Sequence, residues 1–191
     1  MNTDHEKDKA RLRQIILERS FKLGEFTLAS GKKSDYYIDC RTTSLHPEGA
    51  HLIGRLLLPP ALELKPDAVG GLTLGADPVT ASLIAESHRR GSPLMGFIVR
   101  KETKTHGRGR QIEGNLEAGN RALILEDVIT TGGSALTAAA AVKQAGAEVV
   151  GVLAIVDREE GGKEAIAKTG LTVKALFTAS ELKQAAKEKQ A

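Results

Sequence analysis

Five short, nearly uninterrupted runs of small branched residues punctuate the chain from residue 66 onward. They lie at 68–74 (AVGGLTL), 94–99, 121–127 (RALILED), 148–156 (EVVGVLAIV) and 171–177. A strand wetted on one face alternates apolar with polar residues, whereas a run without alternation must be covered on both faces. The stretches between them, 79–89 and 134–145, have helical length and spacing. Buried strands interleaved with helices imply an α/β fold, a mostly parallel sheet with helices on both faces. An α+β domain with some antiparallel pairs remains the alternative.

Upstream, residues 5–23 place Leu12, Ile15, Ile16 and Phe21 at helical spacing, with Gly24 as the stop. Extended runs at 25–30 and 36–40 flank Ser30-Gly31-Lys32-Lys33-Ser34 and predict a hairpin. Pro47 suits the first turn of a helix through Leu52, Ile53 and Leu56, which Pro59-Pro60 should break or kink. Asp77 reads as an N-cap ahead of Pro78, Gly146 as the stop of the helix at 134–145, and Ser180 as the cap of a charged C-terminal helix. No repeat or linker interrupts the chain. The expectation is one domain over 1–191, with an N-terminal helix and appendage over about 1–45, an α/β core over about 46–180 and a C-terminal helix over about 180–191.

Composition removes several classes of function. Aromatic residues make up only 3% of the chain and tryptophan is missing, which leaves little for stacking on nucleic-acid bases. The net charge of +3 is too small to announce a nucleic-acid partner. No apolar stretch approaches a membrane span, and the charged residues 1–13 lack the apolar core of an export signal. The single cysteine, Cys40, excludes an internal disulfide and a multi-cysteine zinc site and suits a reducing cytoplasm. The histidines at 5, 46, 51 and 88 have no metal-ligand spacing and read as surface or cap residues.

In an open α/β sheet, ligands bind beyond the carboxyl ends of the strands. Three such places are chemically loaded. After the third run, Glu126 and Asp127 precede Val128, Ile129, Thr130, Thr131, Gly132, Gly133 and Ser134. Backbone N–H groups, hydroxyls and the positive end of a helix dipole make that turn a phosphate cradle. The carboxylates would repel a phosphate, so they suit sugar hydroxyls or a shared divalent cation. No lysine follows the glycines, so the turn is not a Walker A loop, and it is not GxGxxG either. An ordinary capped strand-to-helix turn is the alternative.

After the second run comes Arg100-Lys101-Glu102-Thr103-Lys104-Thr105-His106-Gly107-Arg108-Gly109-Arg110. Five basic side chains and a histidine face one glutamate, and no apolar residue pins the segment. It reads as a mobile lid over an anionic substrate, or else as a solvated charge run. After the fourth run, Arg158 can offer its planar fork to a carboxylate or an imide edge, or pair with Glu159 or Glu160 at the surface.

The segment LILEDVITTGGS resembles the phosphoribosyl-pyrophosphate (PRPP) motif of type I phosphoribosyltransferases. FKLGEFTLASGKKSDYYID (21–39), GLTLGADP (71–78), RKETKTHG (100–107) and the Asp157-Arg158 pair are similar to the orotate-specific members, over about residues 12–180. The resemblance implies a Rossmann-like, mostly parallel sheet with a small N-terminal hood. It implies transfer of ribose 5-phosphate from PRPP to N1 of orotate. Glu126 and Asp127 would hold the ribose hydroxyls, and Thr130 to Ser134, with Val128 and Ile129, the 5-phosphate. Arg100, Lys101, Lys104 and His106 would contact the diphosphate, with Lys104 the main catalytic residue, assisted by His106. Thr130 and Arg158 would face orotate, and Lys22, Tyr36 and Tyr37 would belong to the hood. Mg²⁺ would arrive on PRPP with no direct protein ligand. A homodimer would share Arg100, Lys104 and His106 across its interface. The chain departs from the pattern in two places: Leu74-Gly75 stands where some members carry an aromatic residue and a lysine, and the acidic pair is Glu-Asp.

Three rivals differ in what they would require. A purine-specific transferase has no use for a carboxylate-binding Arg158 or a tyrosine-bearing hood. A PRPP-sensing regulator would lose Lys104 and add a nucleic-acid-binding segment. A plain nucleotide-binding module would leave the cationic segment without a task.

Overall fold

The structure, a computed structural model, describes residues 3–27, 31, 33–101 and 111–189. Six strands form the main sheet in the order β5-β4-β3-β6-β7-β8: β3 (Ala68–Leu72), β4 (Met95–Val99), β5 (Ile112–Gly114), β6 (Arg121–Ile129), β7 (Glu148–Asp157) and β8 (Val173–Thr178). All neighbours are parallel except β5, which runs antiparallel to β4 at the edge. The α/β expectation holds, with β5 as the antiparallel exception. That three-residue strand, IEG, carries no apolar run to announce it.

Successive strand residues point to opposite faces, so a doubly covered strand is apolar throughout. Leu123 and Leu125 of β6 join a cluster with α1 (Thr3–Arg19), α3 (Pro47–Glu63), which the single turn of α2 (Arg41–Ser44) precedes, and α4 (Ala76–Arg89). Ala122 and Ile124 join the opposite cluster, under α5 (Gly133–Gln144) and α6 (Gly162–Ala167). All four are fully buried. Truncating one such leucine to alanine costs about 2–5 kcal/mol.

The connection from β3 through α4 leads to β4 on one side, and that from β6 through α5 leads to β7 on the other. Neighbouring strands whose connections depart in opposite directions leave a crevice at their carboxyl ends. Over it sits a separate two-stranded antiparallel sheet, β1 (Phe21–Thr27) with β2 (Lys33–Ile38). This is the expected hairpin, but its first strand begins at Phe21 and α1 ends at Arg19. Phe21 is not a helix residue because its ring is buried and stacks on Tyr36 at 5.3 Å. Gly24, expected as a helix stop, sits with φ +150° at the irregularity between Leu23 and Phe26.

Three other expectations are corrected. Pro59-Pro60 does not break α3, which continues to Glu63. The prolines remove two helical donors, but buried Leu56, Leu57, Leu58 and Ala61 pin the helix on both sides of them. α4 starts at Ala76, so Asp77 and Pro78 lie inside its first turn, where the missing proline N–H had no helical acceptor. Asp77 instead accepts from the Thr73 hydroxyl at 2.7 Å. The C-terminal helix, α7 (Ala179–Glu188), is capped by Thr178, which forms a reciprocal capping box with Glu181. Ser180 is one residue inside, its N–H donating to Glu159. Among the described residues no helix is long and apolar enough to cross a membrane.

Candidate active site

The carboxyl ends of β3, β6 and β7 and the end of β2 surround a cleft of about 300 Å³. Its floor comes from β6. Glu126 continues the Ala122/Ile124 face toward α5, and Asp127 continues the Leu123/Leu125 face toward the start of α4. Glu126 is buried, and no described residue hydrogen-bonds its Oε1. Burial, with Asp127 adding to it, raises its carboxyl from 4.5 to about 8, so it is mostly protonated at neutral pH. Burial also raises Asp127, opposed by the Val128 N–H, 2.8 Å from Oδ1, and by the charge of Arg41.

Gly75 lies directly against Asp127: a Cβ there would sit 2.5 Å from Oδ1. Only glycine lets the turn after β3 approach the carboxylate this closely. The peptide between Thr73 and Leu74 in that turn is cis.

Beyond Asp127 the chain turns at Gly132, whose φ of +82° starts α5. A side chain at Gly132 would also meet the Gly162 carbonyl at 2.9 Å. The turn encloses a second hollow of about 60 Å³, lined by Thr130, Thr131, Gly133 and Ser134 together with Glu126. The leading N–H groups of α5 have no acceptor within the helix, so the hollow offers donors and positive potential to an anion.

Arg158 follows β7. Pairing of Ile129 with Asp157 sets it beside Thr130, and both line the cleft. Its Nε donates to Glu160 Oε1 at 3.0 Å; Nη2 lies 2.9 Å from the same oxygen but is not aligned to hydrogen-bond it. The guanidinium carbon lies 4.8 Å from the centre of the Tyr36 ring, with Lys183 at 4.6 Å from that centre. Arg158 is therefore held by a carboxylate and an aromatic face, rather than paired at an open surface.

The hood residues separate by strand alternation. Tyr37 lines the cleft and is 41% exposed, its ring 5.6 Å from Phe26. Tyr36 is buried and supports Arg158. Lys22 pairs with Tyr37 across the hairpin but is exposed and does not line the cleft.

Of the cationic segment, Lys101 lines the cleft. Arg100 does not: its N–H bonds Gln111 and its side chain reaches Glu113 at 3.5 Å. Lys104 and His106 lie outside the described residues. Among the described residues no group of three His, Cys, Asp or Glu is placed to hold a metal ion.

Sequence reading missed the pair Asp39–Arg41, which lines the cleft on either side of Cys40. The only signal available was two opposite charges closing the hairpin's second strand. Cys40 is fully buried, and burial with Asp127 nearby pushes its thiol well up. His46 caps α3, accepting from the Gly49 N–H at 3.3 Å.

Comparison with known proteins is consistent with this geometry. The phosphoribosyl transferase domain family matches residues 44–181. An orotate phosphoribosyltransferase of Rhodopirellula baltica is 50% identical over 178 residues, covering 90% of this chain and 92% of its own. The Mycobacterium tuberculosis orotate phosphoribosyltransferase, crystallised with Fe(III) dicitrate, superposes with a TM-score of 0.82 at 44% identity, covering 92% of this chain and 98% of that one. Its complex with PRPP superposes with a TM-score of 0.78 at 40% identity and the same coverage.

Proposed function

The chain belongs to the phosphoribosyltransferase family and aligns over most of its length with orotate-specific members; on that premise we propose how its residues carry out the transfer. The reaction joins N1 of orotate to the anomeric carbon of PRPP, expels diphosphate and yields orotidine 5′-monophosphate. The observation that carries the assignment of roles is a single cleft in which buried Glu126 with half-buried Asp127, a helix N-terminus and an immobilised arginine converge.

The turn from Thr130 to Ser134, approached through Val128 and Ile129, takes the 5-phosphate on its N–H groups. Asp127 accepts from one ribose hydroxyl. Glu126, mostly protonated in the free protein, can both donate and accept toward the other. Arg158 takes the carboxylate of orotate, and Thr130 its ring. Tyr36 keeps Arg158 in place and Tyr37 covers the base. Lys22, exposed on the neighbouring strand, belongs to the rim of the hood.

As the bond to diphosphate breaks, the sugar becomes cationic and negative charge collects on the leaving group. Lys101, Lys104 and His106 address that charge, with Lys104 contributing most. Closure of the cationic segment excludes water from the sugar cation. Arg100 lies outside its own cleft, which supports its serving, with Lys104 and His106, the cleft of a second copy in a homodimer.

The donor set here fits a cation that carries its own oxygen ligands: the adjacent carboxyl groups of Glu126 and Asp127 line the cleft beside the sugar site. Mg²⁺ held by PRPP would supply further charge neutralisation at the diphosphate. The protein works in the cytoplasm, where its lone cysteine stays reduced. The whole of 1–191 acts as one catalytic domain.

Incubation with PRPP, Mg²⁺ and each base in turn tests the reading. Loss of orotate absorbance with no turnover of adenine, guanine or hypoxanthine is expected; turnover of a purine in preference to orotate would overturn it.

A further inference from the structure

Arg41 stands at the mouth of the cleft with no part in the roles given above. Its Nε and Nη2 donate to the two oxygens of Asp39, each at 2.8 Å, and its N–H meets the same carboxylate at 3.1 Å. Such a two-point clamp fixes the plane of the guanidinium, although the side chain is 50% exposed. No described residue takes its Nη1 hydrogens. Asp127 lies within electrostatic reach, each charge favouring the other.

The charges around the cleft show what this cation is available for. Asp39, Glu126 and Asp127 contribute three acids, and the described cations are Arg41, Lys101 and Arg158. Arg158 is committed to Glu160 and Tyr36, at the hood end. The turn of Thr73, Leu74 and Gly75 brings no charged side chain at all. A diphosphate bound beside that turn must draw positive charge from elsewhere in the cleft, and the Arg41 fork lines the same cleft already oriented by Asp39.

Resting on the transferase reading above, we infer that Arg41, oriented by Asp39, is a diphosphate-binding residue of this cleft. Unlike Lys101, which lines the same cleft, Arg41 has its guanidinium held at two points by a carboxylate before substrate arrives. Its contacts act on the part of PRPP that leaves, and not on the ribose 5-phosphate that is kept.

Titration calorimetry on the intact protein with Mg²⁺ distinguishes these parts, using PRPP, inorganic diphosphate and orotidine 5′-monophosphate as separate probes. Arg41→Gln should weaken PRPP and diphosphate by about tenfold or more and leave the monophosphate within about twofold, since a lost charge-assisted contact is felt only by the group that made it. Arg41→Lys keeps the charge but not the fork and should fall between. Should Arg41→Gln fail to fold, as read by urea denaturation, the comparison is made on Arg41→Lys alone. Unchanged diphosphate binding, or equal losses for all three probes, overturns the role of Arg41 while leaving the transferase reading intact. A wild-type protein that binds neither PRPP nor diphosphate and does not consume orotate overturns both.

Discussion

Replacing Glu126 by glutamine removes an ionisation that the cleft opposes, and the consequence for stability has a definite sign. The carboxyl is raised from 4.5 to about 8, chiefly by burial. Between those values the folded chain holds a proton that the unfolded chain has released, so stability declines as pH rises. The contribution is fully present below pH 4.5 and is lost as pH passes through about 8. The side chain is only 4% exposed, so solvent screening offsets little of this. At about 1.36 kcal/mol per pH unit, the wild-type chain gives up less than about 1 kcal/mol by pH 5 and about 3 kcal/mol by pH 7. Glutamine has nearly the same shape and no charge at any pH. The stability of Glu126→Gln relative to wild type should therefore improve by about 2 kcal/mol from pH 5 to pH 7. Urea unfolding of both proteins at pH 5, 6, 7 and 8, at matched m-values, measures this directly. A gap that stays constant with pH would refute the argument, because it would mean that Glu126 ionises as freely when folded as when unfolded. Turnover of the variant should fall over the same range, since a buried acid kept at a stability cost belongs to function.

Lys104→Ala should lower turnover by about 10²–10³-fold, as loss of one preorganised charge does; near-wild-type rates in steady-state assays would remove Lys104 from the chemistry. Arg158→Ala should raise the orotate KM strongly with the PRPP KM little changed, and equal losses for both substrates would contradict a base-specific role. Gly75→Ala sets a methyl carbon 2.5 Å from the Asp127 carboxylate, so the turn or the acid must move. PRPP binding, followed by calorimetry, should weaken while the unfolding midpoint changes little; unaltered binding would show that the close approach is dispensable.

Much of this molecule can be read along the chain because its signals are local. The unbroken runs ending at Leu125 and Val156 mark strands covered on both faces, and a turn with two glycines after an acidic pair marks where a phosphate can sit. The elements that escaped are those decided by neighbours far away in sequence. Phe21 left the helical pattern to stack on Tyr36, and α3 ran through two prolines because buried Leu56, Leu57 and Leu58 held it before them and buried Ala61 after them. Thr178, not Ser180, became the cap because β8 delivers it in an extended conformation.

The same division runs through the site. Residue type and order alone single out Glu126, Asp127, Thr130 to Ser134 and Arg158, because each stands in the last residues of a buried strand or in the turn just beyond it. Tertiary structure alone could bring Asp39 and Arg41 into the same cleft, put Gly75 against Asp127, and sort Tyr36 from Tyr37 into support and lining. It alone could turn Glu126 into an acid that keeps its proton near neutrality. Local chemistry is carried by each side chain wherever it stands, whereas burial, clamping and charge balance arise only when distant segments share one volume from which water is excluded.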